Sequence, residues 1–148
     1  MKRLLLTLCM ALACVFALAA ERASADEAVA LVKQAIAYVQ AQGKQKALLE
    51  FMNPHGPFVK GELYLFVYDG KGTNLAHIDK ALVGKNLLGM RDADGVFLIK
   101  NVISIGNSKE GKGWQQYRWP NAVTQQIEVK RSYTERYQDL YISAGVYK

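Results

Sequence analysis

Tyr117 and Trp119 stand two residues apart, the spacing that puts both side chains on one side of a β-strand. Paired aromatics in that position make either plain core or the apolar wall of a pocket. Trp114 reaches the same side only if a bulge intervenes near Gln115 or Gln116. Lys130 falls inside another β-rich stretch, where an unpaired ammonium is costly. It must reach solvent, pair with an acid such as Glu128 or Asp69, or face a ligand carboxylate. His77 can donate a hydrogen bond to a carboxylate and titrates near neutral pH, although a lone histidine at a strand end is commonly a structural hydrogen-bonder. Arg91 offers a bidentate fork suited to carboxylates, and Lys85 a point charge in the turn-rich segment before it; solvated surface is the plain alternative for both. Tyr68 adds an aromatic wall with a hydroxyl donor. Charge-assisted donors beside apolar walls are what a short organic acid needs in a partly dry pocket.

Other chemistries find less support. The two histidines, His55 and His77, have no cysteine near them, so a structural zinc site is not expected, and His77-Ile78-Asp79 supplies at most part of a weak metal site. Gly70-Lys71-Gly72 and Gly111-Lys112-Gly113 lack the length and the Lys-Ser or Lys-Thr ending of a phosphate-binding loop and read as turns. Ser104, Ser108, Ser132 and Ser143 lack the setting of a nucleophile elbow, and no carboxylate pair stands out as acid and base. Neither an enzyme nor a cofactor is expected.

The amino terminus has the layout of a secretory signal peptide: Lys2 and Arg3, an apolar run from Leu4 to Ala20, and small-residue sites at Ala17-Leu18-Ala19 and Ala23-Ser24-Ala25. Cleavage is expected after Ala25, giving a leader of residues 1–25, a mature domain of residues 26–148, and a periplasmic or secreted location. The apolar run is about as long as the shortest span of a bilayer, so an uncleaved anchor stays open on length. Cys9 and Cys14 both belong to the leader, so the mature chain has no disulfide and no thiolate chemistry. Removing Lys2, Arg3, Arg22 and Glu21 takes the formal charge from +6 to +4, a spread-out excess that mildly favours anionic partners. Export and this small charge argue against nucleic acid as a partner.

These residues need elements to position them. Val29, Val32, Ile36 and Val39 recur at helical spacing from Asp26 to Gln42, with Gly43 as a stop. Ser24 and Glu27 have the spacing of a capping box, which cleavage after Ala25 would dismantle. A second helix is expected from Lys44 to Met52, ended by Asn53-Pro54. Glu62 to Asp69 reads as a strand with Leu63, Leu65 and Val67 on one face and Tyr64, Phe66 and Tyr68 on the other. A short strand follows over Asn74 to Ile78. Val96 to Ile105 suits a helix face by its spacing and a strand by its β-branched residues; helix is the reading adopted, with Asp94 as cap. Three strands close the chain, Trp114 to Trp119, Gln125 to Thr134 and Leu140 to Val146, separated by Pro120-Asn121 and the polar run Glu135 to Asp139. Strands joined by short turns, with helices set to one side, point to a single α+β domain.

Tyr68-Asp69-Gly70, Ala76-His77, Val83-Gly84-Lys85-Asn86-Leu87, Asp92-Ala93-Asp94-Gly95, the run Gly113 to Pro120, Lys130-Arg131-Ser132-Tyr133 and Ser143-Ala144-Gly145-Val146-Tyr147 resemble, in order, the signatures of the single Cache domain in its stand-alone exported form. The resemblance spans about Asp26 to Lys148 and departs from the family pattern at Ile78, where a proline is usual. It implies a PAS-like, five-stranded antiparallel sheet with a long amino-terminal helix and flanking short helices. It also implies a small-molecule pocket on one face of that sheet, and sensing of small metabolites, often short carboxylic acids, outside the cell membrane. With no kinase or methyl-accepting region after Lys148, the signal would pass to a separate membrane receptor or kinase partner. The first helix could support a homodimer. A non-catalytic structural or interaction domain on the same fold is the alternative, and the discriminating feature is whether Tyr117, Trp119, His77 and Lys130 converge around a cavity.

Overall fold

The computed structural model describes residues 22–148. The expected leader therefore lies outside the described residues except for its last four positions. Among the described residues no helix is long and apolar enough to cross a membrane.

Helix α1 (Ala25–Gln42) starts at Ser24, whose hydroxyl accepts from the Glu27 amide while the Glu27 carboxylate accepts from the Ser24 amide, closing the capping box read from the sequence. Ala28, Leu31, Val32, Ala35 and Val39 form its buried stripe. Gly43, at φ +81°, ends it, and α2 (Lys44–Phe51) follows directly. Strands β1 (Val59–Lys60), β2 (Leu63–Tyr68) and β3 (Asn74–Ala76) come next, then α3 (Leu98–Gly106), and then β4 (Lys112–Pro120), β5 (Ile127–Tyr137) and β6 (Leu140–Tyr147). All pairings are antiparallel, in the order β1-β2-β6-β5-β4 with β3 also on β2. The sheet thus has six strands against the five expected, the extra one being the two-residue β1.

Three details depart from expectation. The helix reading of the apolar run holds, but Asp94 does not cap α3: its N-cap is Phe97, with no side-chain bond, and the Asp94 carboxylate instead accepts from Arg118 Nε at 2.7 Å. The polar run after Thr134 does not interrupt the sheet. Strand β5 continues to Tyr137, and a two-residue turn with Gln138 at φ +55° leads into β6. Finally, β4 pairs with β5 residue for residue from Lys112 to Pro120, with no bulge.

Alternation along the strands divides the core into two layers. Leu63, Leu65, Val67, Tyr133, Leu140, Ile142, Ala144 and Val146 pack under α1 and α2. Tyr64, Phe66, Tyr68, Tyr117 and Tyr141 point the other way, where Leu98, Ile99 and Val102 of α3 cover them. Strands β2 and β6 are buried along their whole length because both faces are covered.

Candidate functional site

The α3-side layer is unusual for its polarity. Beneath α3, a cavity is lined by Phe66, Tyr68, His77, Gln115, Tyr117, Trp119 and Lys130 together with the apolar face of the helix. Its volume is about 10 Å³, room for about one water.

Lys130 is the chemical centre of this layer. Lys130 takes the even-numbered face of β5, opposite to Tyr133 and paired with Tyr117 of β4, which aims it across the sheet to Tyr64, and it is 1% exposed. Its Nζ donates to the Tyr64 hydroxyl at 2.8 Å and lies 4.0 Å from the Tyr64 ring centroid, with the Phe66 and Tyr147 rings each at 5.1 Å. Neither acid expected as its partner is there. Glu128 bonds Arg22, Asn121 and Thr124, and Asp69 holds the turn amides of Lys71 and Thr73. Burial therefore lowers the Lys130 amine to about 7, opposed only by the charge of the Glu62 carboxylate. The stem of Lys130 needs a lane across β6, and Gly145 supplies it: a Cβ there would come within 2.6 Å of Lys130 Cε.

His77 follows β3 directly and is 4% exposed. The Asp79 amide donates to its Nδ1 at 2.8 Å, which leaves Nε2 as the protonated nitrogen of the neutral ring. Burial, and then the nearby Lys130 amine, lower it to about 4. The ring packs at 5.3 Å from Tyr64, 6.2 Å from Phe66 and 6.1 Å from Trp119. Tyr117 and Trp119 lie on the same side of β4, with rings 6.3 Å apart at 78°. Burial raises the Tyr68 hydroxyl to about 12 and pushes the Tyr64 and Tyr117 hydroxyls well above the usual phenol range. All three are neutral donors at physiological pH.

Five of the eight residues singled out from the sequence thus converge: Tyr68, His77, Tyr117, Trp119 and Lys130. The other three do not. Without a bulge in β4, Trp114 points to the opposite face, 5.4 Å from the Tyr133 ring and beneath the Arg131 guanidinium. Arg91 is exposed and lays its guanidinium over Phe97 at 3.8 Å. Lys85 is also exposed, and it serves the fold through its carbonyl, which accepts from the buried Asn74 amide. Residues the sequence reading did not assign to the site, chiefly Tyr64, Gln115 and Tyr147, take up contacts there. The alternation of β2 already put Tyr64 on the face of Tyr68, and Gln115 shares the parity of Tyr117; those were the available signals.

The segment before α3 is fastened over this site. The Asp92 carboxylate accepts from the amides of Asp94 and Val96 and, across to β4, from the Arg118 amide at 2.9 Å. The Arg118 bond holds it below the ordinary carboxylate range. The Gln115 side-chain amide donates to the Leu98 carbonyl at the start of α3. Among the described residues no cluster of acids, histidines or cysteines could hold a metal ion.

An antiparallel sheet carrying a long helix on one face and a helix-covered aromatic cavity on the other defines a PAS-like ligand-binding domain. The chain belongs to the family Single Cache domain 2, whose profile matches residues 19–148. Cache domains are sensor modules that bind ligands outside the cytoplasm. Three solved structures share the fold. A methyl-accepting chemotaxis protein from Vibrio parahaemolyticus superposes with a TM-score of 0.73 at 24% identity, over 82% of this chain and 86% of that one. A Cache chemosensory domain that recognises carboxylic acids gives 0.68 at 22%, over 82% and 91%. The periplasmic sensor domain of a chemotaxis protein gives 0.64 at 21%, over 82% and 88%. No curated protein matches in sequence.

Proposed function

We propose that this protein is an extracytoplasmic sensor module that binds a short organic acid beneath α3 and hands its occupancy to a separate receptor or kinase. The observation that carries this reading is Lys130, a buried amine without an acidic partner among the described residues, facing an aromatic cavity beside the Nε2–H of His77. A carboxylate in that cavity would accept from Lys130 and His77 while Tyr117, Trp119 and Tyr68 enclosed its carbon chain. The carboxylic acid recognised by one structural neighbour lends the ligand class further support.

A cavity of about 10 Å³ is too small for any organic acid, so binding requires the wall to move. The half-buried Trp119 and Gln115, with the segment leading into α3, are the parts able to do so. The same tight filling favours the second reading, a non-catalytic interaction domain.

A thermal-shift screen of small carboxylates, amino acids, amines and sugars separates the two. A ligand at a hundred times its dissociation constant adds ~2.7 kcal/mol and raises the melting temperature by several degrees. For the carboxylate that binds, Lys130→Met is expected to weaken affinity on the order of tenfold to a hundredfold, the loss of one charge-assisted bond. Unchanged affinity would remove Lys130 from the site, and a flat screen would favour a protein partner.

A further inference from the structure

A charge inventory of the cavity sharpens the ligand class. The groups that face Lys130 from the packed elements are Tyr64 and Tyr68 of β2, Tyr117 of β4, Tyr147 of β6, and His77 after β3. The four phenols are neutral, their hydroxyls raised by burial. His77 is neutral as well, with Nδ1 committed to the Asp79 amide. The one carboxylate whose charge acts on Lys130 among the described residues is Glu62; it makes no salt bridge to Nζ, its Oε2 accepts from the Asn121 side chain at 3.0 Å, and its Oε1 is buried without a hydrogen-bond partner. Arg118 and Arg131, the neighbouring cations on β4 and β5, are exposed. One basic nitrogen is therefore the whole cationic capacity of the cavity.

That nitrogen is nine-tenths or more buried and has no salt-bridge partner among the described residues, so above neutral pH it stands as a free amine. An anion moving in alone would then be a buried charge without a partner, which the cavity cannot tolerate. An anion that arrives with a proton meets no such barrier. The proton goes to Nζ, the ammonium is received by the Tyr64 hydroxyl and the three surrounding rings, and the carboxylate pairs with it at zero net charge.

We propose that the cavity takes up a short monocarboxylate together with one proton, so that the sensor responds to the product of acid-anion and proton concentrations and rejects dianions. This rests on the carboxylate-binding reading above and adds to it the charge of the ligand and the coupling to pH. A second carboxylate would find no second cation, and the dianion would carry an unpaired charge into the aromatic layer.

The test is calorimetric titration of the full secreted chain with propionate and with succinate, at pH 6.0 and pH 8.5, in three buffers of different ionisation heat. The expected result is about one proton taken up per propionate at pH 8.5 and close to none at pH 6.0. Propionate affinity should fall about tenfold per pH unit above neutrality, and succinate should bind at least about tenfold more weakly. The His77→Gln variant keeps a donor but cannot take the proton, and uptake should persist in it. Propionate binding without proton uptake at pH 8.5, in the parent or in His77→Gln, overturns the proposal while leaving carboxylate binding intact. Failure of both acids to bind at either pH overturns it together with the functional reading. An independent measurement needs no ligand: the ¹³Cε resonance of Lys130, assigned with Lys130→Met, should titrate with a midpoint near neutrality. A midpoint above pH 9 overturns the proposal.

Discussion

Lys130 is retained at a cost to the fold. An amine protonated at ~10.4 in the unfolded chain and at about 7 in the folded one disfavours folding by on the order of 4 kcal/mol at neutral pH. Lys130→Met preserves the length of the stem beside Gly145 and removes the amine, so it is expected to raise the melting temperature at pH 7 by several degrees. Differential scanning calorimetry of the two proteins decides it: a variant less stable than the parent would mean that the Tyr64 bond and the ring contacts outweigh desolvation. That the strand of Lys130 is covered was legible from its place in a β-rich stretch; that the amine stays inside and does not reach solvent was not. Nor was its partner, because Tyr64 lies 66 residues away and only the register of β2, β6 and β5 brings the two together. Glu128, two residues away on the same strand, and Asp69, nearly as remote in sequence as Tyr64, were the acids considered, and both have other work.

At the scale of elements, α1 and the segment before α3 show what sequence spacing does and does not reveal. The helical period of α1 and the two faces of β2 are local patterns, and the structure keeps both, although the buried stripe of α1 runs through Ala28, Leu31 and Ala35 beside Val32 and Val39 and leaves Val29 and Ile36 half-buried. The destinations of Arg91 and Lys85 depended on how the turn-rich stretch folds back over the sheet, which no local period encodes. Trp114 turned on whether β4 carries a bulge, and unbroken pairing is invisible until β5 is laid beside it. The start of α1 leads to a prediction about processing. Ser24 caps the helix, Ala23 packs against the core, and Arg22 bonds both Glu128 and the Lys148 carbonyl. Cutting after Ala25 would discard all three, and the cap alone is worth ~1 kcal/mol. Cleavage is therefore expected at Ala17-Leu18-Ala19, with the mature chain beginning at Ala20. Intact-mass measurement of the exported protein reads this directly, and a chain starting at Asp26 would contradict it. A recombinant chain trimmed to Asp26 should melt a few degrees lower than one starting at Ala20.

For the whole molecule, the buried titratable groups combine into an unusual stability profile. His77 and Lys130 are less protonated in the fold than in the unfolded chain, so stability rises with pH, from about 4 to ~6.5 through His77 and from about 7 to ~10.4 through Lys130. Asp92 acts in the same direction, since its held-down carboxyl stabilises the fold above the unfolded value and loses that effect as pH falls through the folded one. Tyr64 and Tyr117 set the upper limit: their raised hydroxyls stabilise the fold below ~10, and that contribution is lost as pH climbs further. The melting temperature is expected to peak near pH ~9–10, above the usual optimum of about 5 to 8, and Lys130→Met should flatten the rise above pH 7. A pH series of melting curves with a peak near 6 would refute this. The sheet itself has a mechanical meaning. Val146 presses on the α1 layer while its neighbour Tyr147 borders the Lys130 amine, so successive residues of one strand touch opposite sides of the domain. The sheet that divides the two side-chain layers is one backbone thick. A push on its aromatic side therefore meets α1 through a single layer of apolar side chains, Leu65, Ile142, Ala144 and Val146 among them, as a diaphragm would pass it on.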